Sequence, residues 1–142
     1  MQIKHQKKGM YPNTFFENIV VSLDLARKLK ENNIAYPTLF YWRVWKDGYS
    51  DCVIGIYEYD KDRPKIKEKI PTYDAATLLK ELPGSIKYDN KYFDLVIYKT
   101  IFPKYKVQYE QRKDGKNEIL EDFWEDRLAD ALARMLLWLK NR

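Results

Sequence analysis

The chain has 142 residues, 45% of them apolar, and a formal net charge of +5, which is the size and composition of one folded domain. Its single cysteine excludes an internal disulfide framework and a cysteine-based zinc site. No stretch approaches the roughly 18 apolar residues of a membrane-spanning helix, and the N-terminal segment lacks the apolar run of a signal peptide. We therefore expect a cytoplasmic protein with no membrane partner.

Residues 1–14 have the composition of a flexible basic arm, with three lysines, Gly9 and Pro12. The arm contains the only histidine, His5, which has no second histidine with which to share a metal ion. We expect the rest of the chain, 15–142, to form a single α+β domain.

The first predicted elements are a β-rich segment, 15–21, and a helix over 23–32. Three consecutive β-branched residues favour the strand, and Ser22 is a typical N-cap for the helix that follows. An alternative places the N-cap at Thr14, with Glu17 completing a capping box.

An Asp-Gly turn at 46–49 separates two β-rich runs, 38–45 and 50–59, and this pattern predicts a β-hairpin. Neighbouring side chains of a strand point to opposite faces, so one face should be buried while the other stays rich in Tyr and Trp. Gly55 indicates a bulge or the close approach of another backbone. Cys52 is expected to pack as a small hydrophobic residue.

Two further elements, a charged loop over 60–70 and a helix over 74–82, are predicted from composition and caps, with Thr72 as the N-cap of the helix. Two strands follow, 91–100 and 104–112. The second strand alternates apolar and polar residues, which predicts a half-buried strand. Tyr105, Val107 and Tyr109 should face one way, and Lys104, Lys106, Gln108 and Glu110 the other.

The segment 126–140 is the strongest helix pattern, because its large apolar residues repeat on one face. These residues are Leu128, Leu132, Met135, Leu136 and Leu139. Asp126 should cap this core helix, and Asp130 with Arg134 should form an exposed i,i+4 pair. A second Asp-Gly turn at 113–116 and a strand over 118–124 complete a meander. The predicted fold class is α+β, in which an antiparallel sheet of hairpin plus meander packs against two or three helices.

The segments 71–83 and 128–139 resemble small uncharacterised proteins encoded in phage and prophage genomes. The layout is similar too, with a Ser-capped helix over 22–30, a Tyr/Trp-rich hairpin, and then helix, strands and helix. The resemblance implies this fold and an origin in a mobile genetic element, and it implies no catalytic or binding residue.

Catalytic motifs are absent from the sequence. No glycine-rich phosphate-binding motif is present, and nothing singles out a pair of catalytic carboxylates. The acidic residues of 118–126 are interpreted as compensating the dipole of the core helix rather than as metal ligands. We therefore predict that the protein is not an enzyme and has no metal and no cofactor.

The first functional hypothesis is a protein-interaction module with an unknown protein partner, since 15% of the residues are aromatic. Its contact surface would be the aromatic hairpin: Tyr41, Trp42, Trp45, Tyr57 and Tyr59.

The second hypothesis is a nucleic-acid-binding protein, in which basic residues of 99–116 contact phosphates and tyrosines stack on bases. The basic residues are Lys99, Lys104, Lys106, Arg112, Lys113 and Lys116, and the tyrosines are Tyr98, Tyr105 and Tyr109. A solvated sheet face explains the same residues. Clustering of the charges on one exposed face would favour this hypothesis, and an exposed aromatic patch would favour the first.

Overall fold

The computed structural model describes residues 16–55 and 65–142. Over these residues it contains three helices and two antiparallel sheets, which confirms the predicted α+β class. The elements in chain order are α1 (Leu23–Glu31), β1 (Phe40–Trp45), β2 (Ser50–Ile54), β3 (Ile66–Thr72), α2 (Ala75–Glu81), β4 (Ser85–Tyr88), β5 (Lys91–Lys99), β6 (Tyr105–Lys113), β7 (Lys116–Glu125) and α3 (Leu128–Asn141).

Two compact units divide the chain between Asp74 and Ala75. The first contains α1 and a sheet with strand order β2-β1-β3, and the second contains α2, α3 and a sheet with order β4-β5-β6-β7. The single domain over 15–142 stays a prediction, and the basic arm 1–14 lies outside the described residues.

The predicted hairpin is β1 and β2, which pair antiparallel across the Asp-Gly turn, where Gly48 has a φ of +91°. A Cβ at Gly55 would lie 3.1 Å from a ring atom of Tyr41 and 3.7 Å from the carbonyl oxygen of Leu39. The backbone of Leu39 also approaches closely, because its carbonyl accepts a hydrogen bond of 2.7 Å from the Gly55 amide. Cys52 is fully buried, and burial raises the pKa of its thiol to about 12.

The prediction of a charged loop over 60–70 is wrong from Ile66 onward, because this segment is the strand β3. The segment is rich in charged residues, but every second residue over 65–69 is a lysine, and Ile66, Glu68 and Ile70 alternate with these lysines as in a strand. β3 pairs with β1 alone in the described sheet, so it is an edge strand. Proline is found on edge strands because it has no N–H to donate, and Pro71 is therefore tolerated in β3.

Thr72 is not the N-cap of α2, which begins at Ala75. Its hydroxyl instead donates to the carbonyl oxygen of Val21 at 2.8 Å, inside the core of the first unit. The indole N–H of Trp42 donates to the same carbonyl, also at 2.8 Å. The buried carbonyl oxygen of Val21 therefore accepts two side-chain hydrogen bonds. These bonds connect β1 and β3 to the segment before α1.

The predicted β-rich segment 15–21 does not form a strand over its described part. Phe16 and Glu17 are helical, and Val20 makes only an isolated bridge with Asp74. Val20 is fully buried, so this β-branched residue serves core packing instead. Ser22 occupies the N-cap position of α1 as predicted, although its side chain makes no capping hydrogen bond. The alternative cap, Thr14, lies outside the described residues.

The second unit contains a strand that the sequence pattern did not indicate, β4, which has only four residues. A two-residue turn joins it to β5, with φ values of +51° at Asp89 and +63° at Asn90. Such positive φ values at both turn residues are typical of the tightest hairpins. The predicted turn between β6 and β7 is confirmed, with φ of +55° at Asp114 and +75° at Gly115.

The C-terminal helix α3 is the core helix of the second unit, packed against β6, β7 and α2. Leu132 and Met135 are fully buried, as predicted. The N-cap is Arg127 rather than Asp126. Asp130 is buried, so the exposed Asp130–Arg134 pair is wrong; Arg134 instead contacts Glu125, with 2.5 Å between guanidinium nitrogen and carboxylate oxygen.

Tyr109 lies at the centre of this core. Its side chain is fully buried, its ring centroid is 6.5 Å from that of Trp138, and its hydroxyl donates to the carbonyl oxygen of Pro83 at 2.6 Å. Burial favours the neutral phenol and raises its pKa from 10.0 to about 12.

This pKa shift predicts a loss of stability at high pH. The pKa of Tyr109 is higher in the folded state than in the unfolded state. The contribution of its neutral phenol to the free energy of unfolding is therefore fully present below pH 10 and is lost as the pH rises through about 12. Tyr109→Phe lacks the ionisable hydroxyl, so its free energy of unfolding should fall less over this range than that of the wild type. Urea denaturation at each pH measures the difference. Parallel pH profiles of the two proteins would contradict the assignment.

Candidate functional site

The aromatic hairpin does not present its predicted residues on one surface. Trp42 is a core residue, 7% exposed, on the face that packs against Val21. Tyr41 and Trp45 are half-buried and lie on the opposite face by strand alternation. A cation covers each of their rings, because the guanidinium of Arg43 is 4.9 Å from the Trp45 centroid and Lys69 is 5.1 Å from that of Tyr41. Tyr57 and Tyr59 lie outside the described residues.

An ion pair between Arg43 and Asp51 organises the Trp45 face of β1. Two nitrogens of Arg43 contact the two carboxylate oxygens of Asp51 at 2.9 and 2.7 Å, and the indole N–H of Trp45 donates to the same carboxylate at 3.3 Å. Asp51 is only 1% exposed. Among the described residues of the hairpin, the ion pair therefore has a structural role, and the rings of Trp42, Tyr41 and Trp45 are buried or half-buried.

The centre of β6 is buried on both faces, which corrects the prediction of a half-buried strand. Gln108 is fully buried and Glu110 is 4% exposed, although both lie on the face opposite Val107 and Tyr109. The side-chain oxygen of Gln108 finds no hydrogen-bond donor among the described residues. Alternation alone did not indicate burial, because the two residues are polar.

Glu110 is the acceptor of a polar network on this face. Its carboxylate accepts hydrogen bonds from the Gln108 amide at 2.9 Å, from the Arg112 guanidinium at 3.0 Å and from the Tyr98 hydroxyl. Burial raises the pKa of Glu110, but these donors outweigh it and lower the pKa below its ordinary value. The charge of Arg112 is consequently offset by a carboxylate rather than left for a phosphate.

The predicted basic residues are not all brought together. Lys104 and Lys106 are at the start of β6, whereas Arg112 and Lys113 are at its end, roughly 25 Å away for a strand of this length. Of the three predicted stacking tyrosines, Tyr98 alone shares the face of Lys106. Tyr105 and Tyr109 alternate to the face that packs against α3.

Lys106 lies between two aromatic rings on neighbouring strands. Its ammonium group is 4.5 Å from the ring centroid of Tyr98 and 4.8 Å from that of Trp124, the residues directly opposite it on β5 and β7. Each contact is a cation–π interaction, worth about 0.5–1 kcal/mol at an exposed site. Trp124 remains 45% exposed.

The most exposed large apolar residues of the described chain lie in the loop between β5 and β6, at the same end of the sheet as Tyr98, Lys106 and Trp124. Ile101 is 98% exposed and Phe102 is 82% exposed. The loop is closed by a hydrogen bond of 2.7 Å from the Thr100 amide to the Lys104 carbonyl. The sequence signal for this site is a pair of large apolar residues in a connection between strands, where polar residues are the norm.

We call this region the loop-end surface. It consists of Tyr98, Ile101, Phe102, Lys104, Lys106 and Trp124. The segment 99–104 contains two lysines and no carboxylate, so the charges of the loop itself are positive.

No group of three or more His, Cys, Asp and Glu residues that could hold a metal ion occurs within 16–55 and 65–142. Among the helices of the same ranges, none has the length and apolar character needed to cross a membrane. No protein-family model, no curated protein and no solved structure matches the chain.

Proposed function

We propose that the protein is a protein-interaction module without catalytic activity, and that it contacts its partner through the loop-end surface. The observation that carries this proposal is the exposure of Ile101 and Phe102, 98% and 82%, in a loop closed by its own hydrogen bond. Contiguous exposed apolar residues with a polar surround are characteristic of interaction sites.

The composition of the surface supports a protein partner. Burying an Ile or a Phe side chain contributes roughly 1.5–3 kcal/mol each, so Ile101 and Phe102 are suited to be the anchors. Aromatic residues such as Trp124 are enriched at binding hot spots. The resemblance to phage and prophage proteins agrees with an accessory role of this kind, and the mobile-element origin is part of the proposal.

A peptide-library selection tests this function. Displayed peptides selected on the immobilised wild-type protein should bind Phe102→Ser at least about tenfold more weakly, as expected when a hot-spot anchor is removed. Titration calorimetry with synthetic peptides measures the change.

The matched control is Leu39→Ser, which makes the same kind of change at an apolar residue that is 60% exposed in the first unit. It should bind the selected peptides as the wild type does. Equal affinities for wild type and Phe102→Ser would refute the assignment of the surface.

The second candidate function is nucleic-acid binding. Lys104, Lys106 and Arg112 alternate to one face of β6, where Tyr98 and Trp124 offer aromatic rings. Against it, Glu110 pairs with Arg112, and the rings of Tyr98 and Trp124 are already covered by Lys106. Fluorescence anisotropy of labelled oligonucleotides over a salt series decides, because phosphate neutralisation gives a steep salt dependence.

A further inference from the structure

A small pocket lies at the end of the four-stranded sheet opposite the loop-end surface. Its volume is about 230 Å³, and its lining residues are Tyr88, Asp89, Lys91, Phe93, Glu118, Ile119 and Leu120. β5 runs from Lys91 at the pocket to Lys99 at the loop, so its nine residues separate the two sites by roughly 30 Å.

The pocket has an apolar interior and a charged rim. Of its apolar lining residues, Phe93 is buried, at 2% exposed, whereas Tyr88 and Ile119 are 51% and 46% exposed. The rim carries Asp89 and an ion pair of 3.0 Å between Lys91 and Glu118. Two carboxylates against one ammonium group leave the rim with a net charge of −1.

The volume fits one aromatic side chain. Sites that enclose a drug-sized ligand have roughly 300–1,000 Å³, so this pocket is below that class. An apolar cavity of about 150 Å³ admits a benzene molecule, so 230 Å³ accommodates a phenyl ring with its connecting carbon.

We propose that the partner of the loop-end surface is a second copy of this chain, with Phe102 of one copy seated in the pocket of the next. The exposed apolar tip supplies the side chain that the pocket lacks. Lys99 and Lys104 flank the tip, and their positive charge complements the net charge of −1 that Asp89, Glu118 and Lys91 give the rim. This inference rests on the proposed function, because it names the partner of the same surface.

The geometry makes the association head-to-tail. The loop-end surface and the pocket are different surfaces at opposite ends of one sheet. Each copy can therefore bind one neighbour through its loop and another through its pocket. Such a heterologous interface leaves a free loop and a free pocket at the two ends of an open assembly. The assembly therefore grows into a chain, unless it closes into a ring in which both surfaces of every copy are used.

Sedimentation velocity over a micromolar to millimolar concentration series tests the proposal. The average mass of the wild type should rise with concentration. Phe102→Ser and the pocket variant Glu118→Lys should each weaken association by at least about tenfold. Both positions are exposed, so both variants should fold, and Leu39→Ser should associate as the wild type does.

Mixing the two defective variants gives the sharpest result. Phe102→Ser retains an intact pocket and Glu118→Lys retains an intact loop, so an equimolar mixture should form a heterodimer and grow no further. In a second measurement, Lys104→Glu should restore association when combined with Glu118→Lys in one chain, because the charges are exchanged.

Two results would overturn the proposal. The first is a wild-type chain that stays monomeric over the whole series. The second is self-association that neither variant weakens. The peptide selection tests the proposed function independently. If the chain is monomeric and peptides still bind it in a Phe102-dependent way, the loop-end surface is a binding site, but its partner is not a second copy of this chain.

Discussion

Replacing Leu132 with alanine is expected to lower the free energy of unfolding by about 2–5 kcal/mol, the range for truncating a large buried aliphatic side chain. Leu132 is fully buried in α3, which packs against β6, β7 and α2. The substitution removes apolar area from the core and leaves a cavity that surrounding elements can close only in part. Urea denaturation followed by circular dichroism measures the loss.

Leu79→Ala provides the matched control. Leu79 is in α2 and is 43% exposed, so the same truncation should cost much less than at Leu132. A loss below about 1 kcal/mol for Leu132→Ala would refute the assignment of α3 as the core helix.

Replacing Arg43 with methionine is expected to destabilise the protein by about 3–5 kcal/mol, the typical cost of removing one partner of a buried ion pair. Asp51 is 1% exposed, and the guanidinium of Arg43 holds both of its carboxylate oxygens. Methionine keeps most of the side-chain volume but removes the guanidinium that contacts both oxygens of the buried carboxylate. Urea denaturation of the variant gives the value.

The double variant Arg43→Met with Asp51→Leu separates charge from packing. Replacing both members of a buried ion pair by apolar residues is often neutral, so the double variant should regain most of the stability lost in Arg43→Met. If the double variant is as unstable as Arg43→Met, the loss comes from packing, and the role assigned to the ion pair is wrong.

Large aromatic and apolar side chains have two different roles in the described residues. Trp42 is buried in the core of the first unit and Tyr109 in the core of the second. The polar atom of each side chain donates a hydrogen bond to a backbone carbonyl. Ile101 and Phe102 contribute nothing to a core, because they are almost fully exposed. We propose that they bind a partner, and Phe102→Ser is the direct test of this proposal.

The sequence predicted the elements that depend on local chemistry. The hairpin of β1 and β2, the Asp-Gly turn before β7 and the core helix α3 follow from turn residues and apolar periodicity. These signals act within a few residues, so no knowledge of distant contacts was needed. The α+β class followed from the order of the elements.

The tertiary structure decided what depends on distant partners. β3 is a strand because β1 pairs with it, although its sequence has the charges of a loop. Thr72 bonds Val21 instead of capping a helix, and Gln108 and Glu110 are buried although they are polar.

The candidate site was decided in the same way. The aromatic content was visible in the sequence, but which rings are exposed depends on what packs against each strand face. Alternation places Trp42 and Tyr41 on opposite faces without saying which face is the core. Exposure is a property of the whole fold, and for this reason Ile101 and Phe102 became candidates only once their surroundings were known.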